Sequence, residues 1–298
     1  MGRPMYRRVL IIANPISGGG RSRRAAHALA EALHARGIDG ELAFTTRAGD
    51  ARRFAAELDR AHFDAVVSVG GDGTLNEVVN GLVDPATPLA MLPMGTANVL
   101  ACDLRLPRKV PAVADALQGG ATRPHAIGTA GGRRFLLFVG AGLDGAMVQR
   151  LEEMRRGTLG KSGWVKPVLQ VVRELPQHLL SVETEDGALH EDLSQVMVTR
   201  VRNYGGVFRL PRGIDAGEGV LHVLCFRQRS RIAWFGTALR AWLLGMKAGR
   251  DCEVMVARSV KIRAADPVPF QLDGDLGGTT PLEVHLDGAT AQVIVPRL

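Results

Sequence analysis

Three glycines and one acid, Gly70-Gly71-Asp72-Gly73, stand directly before Thr74-Leu75-Asn76-Glu77. Glycines let backbone N–H groups close around an anion, and a helix start adds roughly half a positive charge. A carboxylate among phosphates is repelled unless a cation such as Mg2+ sits between them. These types and this spacing read as a nucleoside-triphosphate site in which Asp72 faces metal-bound phosphate. The plain alternative is a tight strand-to-helix turn. A turn, however, does not need three glycines and an acid together.

The loop has to be held by its neighbours. Val66 to Val69 is a short, β-branched apolar run, which predicts a buried strand. Leu75, Val78, Val79 and Leu82 share one face at helical spacing, which predicts a helix after the loop. Thr74 and Glu77 have capping-box spacing, so each can satisfy a donor at that helix start.

The same grammar recurs along the first half. Val9 to Ala13 predicts a strand, followed by Asn14-Pro15-Ile16-Ser17-Gly18-Gly19-Gly20 and a helix from Arg21 through about Arg36. Leu42 to Phe44 predicts a second strand, with Thr45-Thr46-Arg47 as its exit and a helix over Asp50 to Arg60. Leu89 to Leu92 predicts a fourth strand, ending at Pro93-Met94-Gly95-Thr96-Ala97-Asn98 before a helix to about Leu104. Strands alternating with helices predict a parallel sheet covered on both faces. Ligands gather at the carboxyl ends of such strands. Each of the four loops follows a strand end, which is a stronger signal than any loop alone.

Beyond a helix over Lys109 to Leu117, residues 118–124 read as a linker. Strand-like runs then dominate: 135–139, 179–183, 196–200, 220–226, 252–256, 260–263, 284–286 and 291–295. Helical segments are expected near 146–155, 164–175 and 232–244. The expected fold class is α/β: an N-terminal parallel-sheet domain and a second, mainly antiparallel β-sandwich domain.

Several patterns imitate sites. Gly140-Ala141-Gly142-Leu143-Asp144-Gly145 fits a dinucleotide fingerprint, but no second strand ending in an acid follows about 20 residues on. A glycine-rich turn is the expected reading. Gly157 to Ser162, with Lys161, imitates a P-loop, yet Arg155 stands where the first glycine belongs. Trp234, Leu239, Trp242 and Leu243 form an apolar stripe near Arg231 and Arg240. Core packing is its expected role, and a membrane-facing helix is the other reading. Asp273-Gly274-Asp275 is, as a bare pattern, a hairpin turn.

Bulk properties bound the partners. The chain has 298 residues, of which 46% are hydrophobic and 22% charged, enough for two domains with real cores. Net charge is +7, which suits an anionic partner such as a nucleotide or a lipid headgroup surface. Aromatics are only 5% and do not alternate with basic residues, so a nucleic-acid surface is not expected. Cys102, Cys225 and Cys252 are dispersed and predict reduced thiols in a cytoplasmic protein. No apolar run reaches the ~20 residues a membrane span needs, and the start is too short for a signal peptide. Oligomeric state is not fixed by the sequence; a homodimer stays open.

Taken together the motifs resemble the bacterial diacylglycerol kinase-like lipid kinases, related to sphingosine and ceramide kinases. The resemblance rests on Asn14-Pro15-Ile16-Ser17-Gly18, Gly70 to Glu77, Leu92 to Asn98, Gly140 to Gly145, Asn203-Tyr204-Gly205-Gly206 and Asp273-Gly274-Asp275, in family order. It implies a nucleotide-binding domain over 1–124, a lipid-substrate sandwich over 125–288, and a last strand, 289–298, able to return to the first. It implies ATP contacts at Asn14, Pro15, Ile16, Ser17, Gly18, Thr45, Gly70, Gly71, Asp72, Gly73, Thr74, Leu75, Asn76 and Thr96. It places Asp275 where the family keeps its general base, and a metal loop at Asp215, Glu218 and the Val220 carbonyl. Val99 and Ala126 stand where relatives often carry acids of a Mg2+–water network, so Asp72 alone remains of that set. The implied activity is ATP-dependent phosphorylation of a lipid hydroxyl at the inner membrane face. A soluble NAD kinase-like enzyme and a degenerate, non-catalytic nucleotide or membrane binder are the alternatives.

Overall fold

The computed structural model describes residues 5–154, 178–215, 217 and 219–297. The chain divides into two compact units, Met1–Ile127 with Ala289–Leu298, and Gly128–Gly288.

In the first unit, β1 (Arg8–Ala13), β2 (Asp39–Phe44), β3 (Ala65–Gly70) and β4 (Pro88–Pro93) lie in the order β2-β1-β3-β4, all parallel. Helices α1 (Arg21–His34), α2 (Asp50–Ala56), α3 (Asp72–Gly81), α4 (Val99–Asp103) and α5 (Val110–Gly119) connect or flank them. Every residue of β3 is buried, as expected of an inner strand covered on both faces. Edge strand β2 is exposed at Asp39 and Glu41 and half-buried at its other positions. Val9, Ile11 and Ala13 of β1, Val67 and Val69 of β3, Leu29 and Leu33 of α1, and Leu117 of α5 share one core.

Two expectations change here. Residues 118–124 are not a linker: β5 (Ala121–Ala130) begins immediately after α5. Gly119 and Gly120 end the helix, and a Cβ on Gly120 would lie 2.4 Å from the Ala116 carbonyl oxygen and 2.5 Å from that of Val295. Close packing, rather than looseness, explains that glycine. The runs 284–286 and 291–295 are one strand, β18 (Leu282–Val295), whose last residues run parallel to β4 at Gln292 and Val293. The Asp287-Gly288 pair, a turn signal by type, lies inside it with Gly288 at φ 84°.

The second unit holds β6 (Arg133–Phe135), β7 (Phe138–Gly142), β8 (Leu180–Thr184), β9 (Leu189–Leu193), β10 (Gln195–Thr199), β11 (Asn203–Tyr204) and β12 (Phe208–Arg209). It continues with β13 (Leu221–Phe226), β14 (Glu253–Ala257), β15 (Ser259–Ala264), β16 (Pro269–Leu272) and β17 (Asp275–Thr279). One antiparallel sheet runs β14-β13-β10-β7-β16-β17. A second joins β9, β8, β15 and the first part of β18, again antiparallel. Val139, Val196, Val223 and Phe270 from one sheet meet Val182, Ile262 and Val284 from the other in a shared core. This is the antiparallel second domain that the run of strands predicts.

Helix α6 (Leu143–Met154) follows β7, and α7 (Arg231–Leu244) follows β13, capped by the Ser230 hydroxyl, which accepts from Ala233 N–H at 3.1 Å. The apolar stripe of α7 is not core. Trp234 stacks obliquely on Phe226 at 5.5 Å, but Leu239, Trp242 and Leu243 are exposed. The helix instead turns Thr237 and Ala241 inward. Gln228 and Arg240 both donate to the Thr237 hydroxyl, and Arg240 pairs with buried Asp251 at 3.1 Å, so polar links fix which face is covered. Among the described residues no helix is long and apolar enough to cross a membrane. The three cysteines are free thiols, and burial pushes Cys225 and Cys252 up to about 12. The helix expected at 164–175 and the P-loop imitation at 157–162 lie outside the described residues.

Candidate active site

The four loops of the first unit leave the carboxyl ends of β1 to β4 and touch one another through backbone. Asn14 N–H donates to the Val69 carbonyl at 3.0 Å, Thr45 N–H to Ala13 at 3.0 Å, and Met94 N–H to Gly70 at 2.8 Å. Ser22 at the start of α1 also reaches the Val69 carbonyl, at 3.2 Å. Glycine allows this approach. A Cβ on Gly95 would stand 2.6 Å from the Gly71 Cα, and one on Gly18 (φ 63°) 2.9 Å from the Met94 carbonyl oxygen. No side chain could be inserted between these backbones without parting the loops.

Each loop is also braced internally. Asn14 Oδ1 accepts Ile16 N–H at 3.2 Å, and the Asn14 carbonyl accepts Ser17 N–H at 3.1 Å. Pro15, half-buried, and Ile16, exposed, ride on that turn, and Gly18, Gly19 and Gly20 continue it with positive φ. Asn98 exchanges two hydrogen bonds with Gly95: its Oδ1 accepts the Gly95 N–H at 2.9 Å and its Nδ2 donates to the Gly95 carbonyl at 2.7 Å. Asn98 adopts the left-handed conformation (φ 47°), which asparagine tolerates better than most residues. Exposed Thr96 stands at the tip of the braced loop.

Helix α3 starts at Asp72 with Gly71 as its N-cap, three residues before the capping-box reading places it. Thr74 is therefore already inside the first turn, and its hydroxyl lies against Gly70, where a Cβ would come within 2.5 Å. Glu77 does not fold back on Thr74. It accepts the Ala51 N–H of α2 at 3.2 Å, so the capping-box expectation is overturned. No side chain caps α3, and Gly73, its second residue, is exposed. Leu75 and Asn76 point inward: Leu75 is core and its N–H is taken by the Gly71 carbonyl at 3.1 Å, while Asn76 Oδ1 accepts from Asn80 at 3.1 Å.

Asp72 is the acid of this rim that keeps an open oxygen. Its Oδ2 accepts the Val99 N–H at 3.0 Å, at the N-terminus of α4. Its Oδ1 is buried with no hydrogen-bond partner among the described residues. Burial pushes the carboxyl above the usual range, against backbone N–H groups of Val99, Leu100 and Asn98 that pull it down. A buried, unsatisfied carboxylate oxygen is costly unless something charged completes it. Mg2+ is commonly held by one or two carboxylates plus waters and substrate phosphates, so this single oxygen fits such an ion. Val99 and Ala126 add no oxygen, and among the described residues no cluster of three or more His, Cys, Asp or Glu side chains exists.

Sequence reasoning missed the brace on the loop that follows Thr45. Asp50, the first residue of α2, accepts from Thr46 N–H (2.8 Å), Thr46 Oγ1 (2.7 Å) and Arg47 N–H (3.1 Å). The Thr46 N–H and hydroxyl hold its carboxyl down at about 2. The available signal was an acid opening a helix just after a strand exit.

In the second unit, the hairpin reading of Asp273-Gly274 holds. Both residues have positive φ, 51° and 96°, and they join β16 to β17. The two acids differ sharply. Asp273 is buried, and its carboxylate accepts three N–H groups, from Leu136 (2.8 Å), Leu137 (2.9 Å) and Phe138 (3.0 Å). Asp275 is half-exposed beside Arg133 at 3.8 Å. Behind the turn, Gln271 Oε1 accepts the Gly274 N–H at 2.8 Å while its Nε2 donates to Asp144 Oδ2 at 2.8 Å. The Tyr204 hydroxyl donates to the other oxygen of Asp144. Burial raises the Asp144 carboxyl, opposed by those two donors, and raises the Tyr204 phenol well above its ordinary value. The dinucleotide-like glycines serve this packing: a Cβ on Gly140 would strike Asp144, and one on Gly145 would strike the Pro269 carbonyl.

The expected metal loop is described only in part. The Val220 carbonyl accepts from the guanidinium of Arg200, which is fully buried. Asp215 Oδ1 accepts the Gly217 N–H at 2.8 Å, and Glu218 lies outside the described residues.

With this geometry in hand, the relatives are informative. A family model of the diacylglycerol kinase catalytic domain matches residues 8–130, the segment that carries the loop rim. The chain is 26% identical over 296 residues to a diacylglycerol kinase of Bacillus subtilis, covering 98% of this chain and 97% of that one. It is 29% identical over 302 residues to a diacylglycerol kinase of Mycobacterium tuberculosis, covering 97% and 96%. Among solved structures, a chain from Bacillus anthracis matches with a TM-score of 0.79 at 24% identity over 98% of both chains. A diacylglycerol kinase of the same organism matches at 0.74 and 21%, over 98% and 97%. The match supports a kinase catalytic domain of the diacylglycerol kinase type over residues 8–130. Over its full length the chain is similar to bacterial diacylglycerol kinases, and these matches support a place among the diacylglycerol kinase-like lipid kinases.

Proposed function

We propose that the protein transfers the γ-phosphoryl group of ATP to the hydroxyl of a diacylglycerol-like lipid at the inner membrane face. The observation that carries this reading is Asp72 Oδ1, buried and unsatisfied at the start of an uncapped helix, among glycine loops locked backbone to backbone. Phosphates would lie on the N–H groups of Gly71 to Thr74. The Asn14–Gly18 turn, Thr45 and Thr96 would bound the rest of the nucleotide. Mg2+ bound at Asp72 would neutralise phosphate charge. Phosphoryl transfer needs positioning and charge neutralisation more than covalent help from the protein.

Asp275 supports the acceptor side of this reading, because its carboxylate is accessible while its neighbour Asp273 is wholly engaged. In the proposed step the lipid hydroxyl oxygen bonds to the γ-phosphorus. The bond from that phosphorus to the β–γ bridging oxygen breaks, ADP departs, and the hydroxyl proton passes to Asp275. General-base help of this kind is worth roughly 10² to 10⁴ in rate. The names of the full-length relatives favour diacylglycerol among lipid acceptors.

The test is ATP labelled at the γ-phosphate, incubated with vesicles containing diacylglycerol and, separately, with NAD. Label in the organic phase is expected, and label only on NAD overturns the lipid reading. ATP binding without consumption on any acceptor identifies a degenerate kinase. Asp275→Asn should cut turnover far more than ATP binding; equal losses in both remove it as the base.

A further inference from the structure

Helix α7 is built inside out. Its covered positions are small or polar, Thr237 and Ala241, whereas Ile232, Phe235, Leu239, Trp242, Leu243 and Leu244 face outward. Their exposure runs from 43% for Leu239 to 86% for Ile232. Ile232, Phe235, Leu239, Trp242 and Leu243 recur at three- and four-residue steps and so form one continuous face, with Leu244 exposed at the helix end. Single exposed apolar residues are ordinary, but a face of this kind marks an interaction surface.

Charge identifies the occupant. Residues 227–250 contain six cations, Arg227, Arg229, Arg231, Arg240, Lys247 and Arg250, and no acid. Arg231 opens the helix and Lys247 follows its end, both exposed. Acids from other segments answer four of these cations, Glu253 against Arg227, Asp192 against Arg229 and Asp251 against both Arg240 and Arg250, whereas Arg231 and Lys247, at the two ends of the helix, have no ion-pair partner among the described residues. An apolar face framed by cations, with a tryptophan near one end, matches a helix lying in the headgroup zone of an anionic bilayer. A second copy of the chain would set the same cations against themselves, which disfavours self-pairing.

We infer that α7 is the membrane-docking element of this protein, inserting its outward apolar face into an anionic lipid surface. The inference extends the proposed lipid-kinase function by naming the contact with the bilayer, yet it stands on the helix alone.

The test is co-sedimentation of the full chain, without ATP, with phosphatidylcholine vesicles carrying phosphatidylglycerol and with pure phosphatidylcholine vesicles. Binding to the anionic vesicles is expected, weakening with salt as screening grows. Trp242→Glu with Leu243→Glu should weaken it by at least about tenfold, with an unchanged melting temperature because both side chains are exposed. Phe235→Ser is a second, milder variant on the same face. Absence of binding overturns the inference, as does binding that neither variant alters. Lipid-free self-association of the wild type that Trp242→Glu abolishes also overturns it, by assigning the face to a second copy. Because no turnover is read, a failed kinase assignment leaves this result standing, and the reverse holds.

Discussion

The loop rim of the first unit and the Asp273–Asp275 hairpin of the second handle carboxylates in opposite ways. At the rim, backbone contacts between glycine loops do the bracing, and the one acid keeps an unsatisfied buried oxygen. At the hairpin, buried acids do the bracing: Asp273 takes three N–H groups and Asp144 takes Tyr204 and Gln271, while Asp275 stands outside. A buried polar atom left open is a place for a ligand; a buried polar atom fully paired is a place for a turn. The contrast assigns roles that residue type alone does not.

Substitutions can break this comparison, beginning with the most severe. Asp72→Ala is expected to abolish turnover, yet to change stability by only about 1 kcal/mol, because losing the α4 cap is offset by removing a buried charge. Label transfer and a melting curve check the two halves. Gly95→Ala should weaken ATP binding by at least about tenfold, since its Cβ would stand 2.6 Å from the Gly71 backbone and no rotamer relieves that. At the hairpin the expected order reverses between stability and activity. Asp273→Ala leaves three buried N–H groups unpaired and should cost about 3 kcal/mol in a urea titration. Asp275→Asn should stay within about 0.5 kcal/mol, its pairing with Arg133 being a surface one.

The smallest effect concerns Asp50. Its carboxyl is held at about 2, below the ordinary carboxylate range, by the N–H and hydroxyl of Thr46. A depressed carboxyl adds stability that is complete above its unfolded value and is lost as pH falls through the folded one. Asp50→Asn should therefore lower the melting temperature at neutral pH, and the gap to wild type should close between about pH 4 and pH 2.

Much of the first unit was legible because strand and helix periods alternate cleanly and each glycine loop sits at a strand exit. The capping box failed because the helix starts at Asp72, with Gly71 as an extended N-cap, which moves Thr74 inside it. The stripe on α7 was visible, but periodicity states that a face is apolar, not whether it points inward. That was decided by Thr237, Arg240 and Asp251, residues distributed over two segments. Asp273 and Asp275 flank one glycine symmetrically in sequence. Only the pairing of β16 with β7 brings Leu136 to Phe138 against Asp273 and leaves Asp275 exposed.

The central claim is that the open oxygen of Asp72 completes a cation-bridged triphosphate at the loop rim. Its most direct test is calorimetric titration of ATP into wild type and Asp72→Ala, each with and without Mg2+. The account predicts that Mg2+ tightens ATP binding to the wild type by at least about tenfold and leaves the variant unchanged. An equal Mg2+ effect on both proteins would contradict it.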